Sequence, residues 1–125
     1  MKKIIAILMV CALGLFGCSS SNKLPEGVSQ AFYDNGKAVV EVMDKYLDKD
    51  LDAKKAADEV QTILDKVSKE DVKDSIDNEA IVNVIAKIQS ILAEASEADK
   101  ADVETLNTDL EIATNGLRTT IGLND

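Results

Sequence analysis

Ile81-Val82-Asn83-Val84-Ile85-Ala86-Lys87-Ile88-Gln89-Ser90-Ile91-Leu92 decides the fold. Within it Ile81, Val84, Ile85, Ile88, Ile91 and Leu92 recur three or four residues apart, which is the repeat of one helix face and not the alternation of a strand. Asp77 and Glu79 precede the run, where carboxylates favour a helix N-terminus. It is the most apolar stripe in the chain and predicts a central helix.

Three weaker stripes of the same period flank it. On the C-terminal side, Ser96-Glu97-Ala98-Asp99 breaks the pattern and reads as a capping arrangement, with serine serving the N–H three residues on and an acid reaching back. A helix starting there would bury Val103, Leu106, Leu110, Ala113 and Leu117. Asn115-Gly116 offers a stop, unless Leu117 and Ile121 carry the packing further. On the N-terminal side, Ala56, Val60, Ile63, Leu64 and Val67 predict a helix over about 53 to 68, capped by the Asp52 carboxylate. The stretch 69–76 between these two helices reads equally as a loop or as a short extra helix.

Phe32, Val39, Val42, Met43 and Tyr46 form the remaining stripe. Asn35-Gly36 interrupts it, either delaying the helix to about Lys37 or lying inside it at a cost near 1 kcal/mol; a continuous helix is expected. Pro25-Glu26 suits a first helical turn. Four amphipathic segments on short links bury all their stripes at once in one arrangement above others, so the expected fold is all-α, a small antiparallel up-and-down bundle of about four helices.

A chain of 125 residues with 46 % hydrophobic and 30 % charged residues fits one globular domain. Its 3 % aromatic content and single proline lean toward helices. The first residues stand apart: Lys2 and Lys3 open the chain, and Ile4 to Phe16 then runs apolar, short for a bilayer span but suited to the core of a secretory signal.

That signal ends in Leu15-Phe16-Gly17-Cys18, which resembles the lipobox of bacterial lipoproteins, where leucine, a variable residue and a small residue precede a cysteine. Cys11 does not compete, because the branched Val10 stands before it. The resemblance covers the export segment alone. It implies diacylglycerol on the Cys18 sulfur, cleavage after Gly17 and a mature chain starting at Cys18. The parts would then be a signal peptide (1–17), a lipidated tether (18–24) and an acidic helical bundle (25–125). Two acyl chains hold a protein on a membrane where one does so marginally. A softer resemblance joins Tyr46-Leu47-Asp48, Asp52-Ala53 and Ala56 to a helix-turn-helix pattern of small helical lipoproteins of uncharacterised function, in which glycine often stands at the place of Lys49.

Processing at Cys18 would discard Cys11 and acylate the other thiol, leaving neither disulfide nor cysteine nucleophile. Of the 14 basic residues, Lys2 and Lys3 would go while all 23 acids stay, deepening the net charge from −9 to −11. Such a balance disfavours nucleic acid and anionic lipid as partners. The chain has no histidine, which removes the commonest general base and zinc ligand. No glycine-rich phosphate loop appears. Sugar stacking is poorly served by Phe32, Tyr33 and Tyr46, of which only Tyr33 lies off the core stripe.

One spacing hints at metal. Asp48, Asp50, Asp52 and Glu59 occupy positions one, three, five and twelve of an EF-hand calcium loop, yet Ala53 stands where that loop needs glycine and Lys55 where it carries an apolar residue. A solvated turn with a helix cap accounts for the same acids. Acid density from Glu94 to Glu111 reads similarly as a wet helix face. No catalytic group and no cofactor beyond the lipid are expected. The expected role is a non-catalytic binding or adaptor module for another envelope protein, lipid-anchored outside the cytoplasm. The alternatives are a structural or protective envelope lipoprotein and a weak calcium-binding module.

Overall fold

The computed structural model describes residues 24–123, so the Leu15 to Cys18 motif lies outside the described part. Among the described residues there are four α-helices and no strand: α1 (Gln30–Leu47), α2 (Ala53–Val67), α3 (Ile76–Ala95) and α4 (Lys100–Ile121). Each packs on the next, α4 closes back on α1, and α1 also meets α3 across the middle, whereas α2 and α4 stand at opposite corners. Short links between neighbours give the expected up-and-down bundle.

The expected stripes are the buried ones. Ile81, Ile85, Ile88 and Leu92 of α3 are fully buried, facing Phe32, Val39 and Met43 of α1, Ala56 and Val60 of α2, and Leu110 and Leu117 of α4 in one core. Burying a large aliphatic side chain contributes about 1.5 to 3 kcal/mol, and this shared row lets one helix serve three others. Val84 and Ile91 of α3, Ile63 and Leu64 of α2, and Val103 and Leu106 of α4 are half-buried at the margins.

Helix α1 runs unbroken through Asn35-Gly36, as expected. Asn35 Nδ2 donates to the Ala31 carbonyl at 2.8 Å, which keeps the amide within the helix. Gly36 is buried because α4 presses on it: a Cβ there would stand 3.1 Å from Ile121 Cγ2.

Helix ends explain where the pattern misled. Pro25 does not open a helix. Its carbonyl accepts from Val28 N–H at 3.1 Å in a turn whose Gly27 takes φ +88°, and α1 starts only after the extended Ser29. Ser96 caps nothing in α4: it closes α3, with Oγ donating to the Ala93 carbonyl at 2.6 Å, and Asp99 is the residue before α4. Asn115-Gly116 is interior, and the stop is Gly122, left-handed at φ +81°, with Leu123 N–H reaching back to the Arg118 carbonyl. Asp52 caps α2 as expected, accepting from Lys55 N–H at 2.8 Å. The 68–75 stretch is a loop.

At the end of α1, Asp50 N–H donates to the Lys45 carbonyl and Lys49 N–H to that of Tyr46, a Schellman closure that puts Lys49 at φ +68°. A side chain tolerates that region poorly. Replacing Lys49→Gly should therefore raise stability in urea by about 1 kcal/mol, less whatever glycine adds to the unfolded chain's freedom.

Among the described residues the buried polar ones are Asn78 and Thr114. Thr114 Oγ1 donates back to the Leu110 carbonyl at 2.7 Å. Asn78, 1 % exposed near the start of α3, reaches much further. Its Oδ1 accepts from Ser29 N–H at 3.0 Å, and its Nδ2 donates to Ser29 Oγ at 3.0 Å and to the Val72 carbonyl at 3.1 Å. One amide thus ties the N-terminal arm and the α2–α3 loop to α3. Asn78→Ala should cost about 2 to 3 kcal/mol in urea unfolding, because Ser29 N–H is left without its partner and the Val72 carbonyl keeps only the Ser75 N–H.

Candidate functional site

The acids singled out by calcium-loop spacing lie along the α1–α2 turn but do not converge. Asp48 closes α1, Asp50 N–H is used in the Schellman closure, and Asp52 spends its carboxylate on the α2 cap. Helix α2 is already under way at Ala53, so Glu59 sits nearly two turns along it on an exposed face. An EF-hand needs those same residues in a loop that wraps the ion. Among the described residues no three side chains of histidine, cysteine, aspartate or glutamate come together in a way that could hold a metal ion.

That turn belongs to one end of the bundle, shared with the link from α3 to α4. There Asp48, Asp50, Asp52, Glu94, Glu97, Asp99 and Asp102 are exposed, interspersed with Lys49, Lys54, Lys55 and Lys100. Below this end two polar links join α1 to α4. Tyr46 Oη donates to Asn107 Oδ1 at 2.5 Å, and Arg118 pairs with Asp44. Burial pushes the Tyr46 hydroxyl above its ordinary pKa, partly offset by the Asn107 hydrogen bond. The Arg118–Asp44 pair is partly exposed, and such pairs stabilise little.

Several hydroxyl groups that would be nucleophile candidates are committed to the backbone. Ser75 Oγ donates to the Gly27 carbonyl while accepting from Asn78 N–H at 3.1 Å, and Thr62, Thr108 and Thr120 each donate to the carbonyl four residues back. Tyr33, expected off the core stripe, is half-buried and packs against the core.

The opposite end of the bundle is where the chain arrives from Cys18. The start of α1, the loop after α2, the start of α3 and the end of α4 meet there. Their closeness is direct: Ser75 bonds Gly27, a Cβ on Gly27 would collide with the Asp77 carboxylate at 2.6 Å, and one on Gly122 would touch Pro25 at 3.0 Å. Sequence reading missed this junction because its centre, Asn78, interrupts no stripe and matches no motif. The available signal was an amide at a position of α3 three residues before Ile81, on the face that Ile81, Ile85, Ile88 and Leu92 bury.

Among the described residues no helix is long and apolar enough to cross a membrane. No protein-family model matches this chain, and no curated protein or solved structure matches it either.

Proposed function

We propose that this chain is an extracytoplasmic lipoprotein, held on a bacterial membrane by diacylglycerol on Cys18, whose acidic bundle serves as a non-catalytic binding or adaptor module for another envelope protein. The observation that carries the anchor is the lipobox-like Leu15-Phe16-Gly17-Cys18 at the end of a basic-then-apolar leader. The folded unit is consistent with it: the chain is bonded into the bundle at Ser29, 11 residues after Cys18. A charge of −11 after processing keeps the exposed bundle soluble and favours a basic partner surface.

Support for a binding role comes from what the side chains do. The absence of histidine, the dispersed carboxylates and the bonding of Ser75, Thr62 and Thr108 hydroxyls to backbone carbonyls favour surface and charge as the chain's means of action. Calcium binding at Asp48, Asp50, Asp52 and Glu59 gains nothing from their arrangement, since Asp52 and Glu59 are held in or at a helix.

The test is the intact mass of the protein extracted from membranes, beside a Cys18→Ser version. A chain beginning at Cys18 with added diacylglycerol is the expected result, together with loss of both the cleavage and the added mass in Cys18→Ser. A full-length or unlipidated wild-type chain would overturn the anchor. Crosslinking on native membranes, which should then recover one stoichiometric envelope protein, tests the adaptor role separately.

A further inference from the structure

Ile76, the first residue of α3, is 82 % exposed. Nothing in the fold asks for an aliphatic side chain there, since the core face of α3 begins at Asn78 and Ile81 and the Ser75 hydroxyl already caps the helix. A lone exposed isoleucine is ordinary on a protein surface. Its position is what gives it meaning: Ile76 lies between Ser75, which bonds Gly27, and Asp77, which abuts Gly27. It therefore stands beside the arm by which the chain arrives from Cys18. Leu24, Pro25, Val72 and Leu123, all half-buried, lie on segments gathered at the same end.

Resting on the lipid-anchor reading above, we infer that this end of the bundle seats on the phospholipid surface that holds Cys18, with the Ile76 side chain entering the boundary between headgroups and acyl chains. Two lengths favour it. From Cys18 to Leu24 the chain spans roughly 20 Å at full extension, whereas α3 with its 20 residues is about 30 Å long. The anchor thus keeps the Ile76 end within a tether's reach of lipid, whereas the α1–α2 end lies a helix length further off. The lipid is a zwitterionic one. Glu26, Glu70, Asp71, Asp74 and Asp77 accompany the exposed Lys69 and Lys73 at this end, so anionic headgroups would be repelled, while apolar insertion beside an existing anchor needs no charge attraction.

The chain contains no tryptophan, so a single one reports its own surroundings. The full lipidated protein carrying Ile76→Trp, placed in phosphatidylcholine vesicles, should show a blue-shifted emission that brominated acyl chains quench. The same protein carrying Ile112→Trp, at the 65 % exposed position on the side of α4, should show neither effect. An Ile76→Trp emission that brominated lipid leaves unchanged, in protein whose intact mass includes the diacylglycerol, overturns the seating and leaves the anchor standing. Equal quenching at both positions overturns it too, because the bundle would then lie on its side. A mass without diacylglycerol overturns the anchor and the seating together.

Discussion

Asn78 is buried to 1 % exposure at the edge of an otherwise aliphatic core, and its side-chain amide holds Ser29 by two hydrogen bonds and the Val72 carbonyl by a third. An amide in that setting is costly unless satisfied, and once satisfied it admits one arrangement of its partners. The loop before α3, in which Val72 is the one aliphatic side chain, is fixed by it, and the arm before α1 is fixed by it together with Val28, which is buried in the core. Ser75, bonded both to Asn78 and to Gly27, reinforces this junction from the loop side.

The remainder of the molecule is held by apolar contact. Helix α3 buries Ile81, Ile85, Ile88 and Leu92 against three neighbours, and α1 follows through Phe32, Val39 and Met43. Gly36 lets α4 approach α1 closely, and the Tyr46–Asn107 hydrogen bond sets the relation of the same two helices further along. With the core thus supplied, the outer faces are free to carry acid, and they do so at both ends of the bundle.

The helices were legible because their stripes are long and regular: each of the four expected elements exists, and Asp52 caps the one it was expected to cap. Boundaries were less so, because local signals compete with packing. Gly116 reads as a stop, but Leu117 and Ile121 gain enough burial against α1 to carry α4 five residues on. Pro25 reads as a helix start, yet Gly27 takes a left-handed turn that brings Ser29 to Asn78. Lys49 adopts a left-handed conformation without being glycine, since the Schellman hydrogen bonds and the α1–α2 packing impose it. The acid spacing from Asp48 to Glu59 matched a loop on paper, and the cap at Asp52 made it a helix start instead. The partners of Asn78 were illegible, because they lie 49 residues away at Ser29 and six at Val72 and no local pattern joins them, although its place on the buried face of α3 marked the amide itself.

The docking of the arm onto the bundle is the claim on which the rest turns, and amide hydrogen exchange reads it directly. Ser29 lies outside every helix, so its N–H has no helical partner and is held by the buried Asn78 amide. Exchange at Ser29 slowed to the level of neighbouring α1 amides is the expected result, with the slowing abolished in Asn78→Ala. Exchange at the rate of an open chain in the intact protein would contradict it.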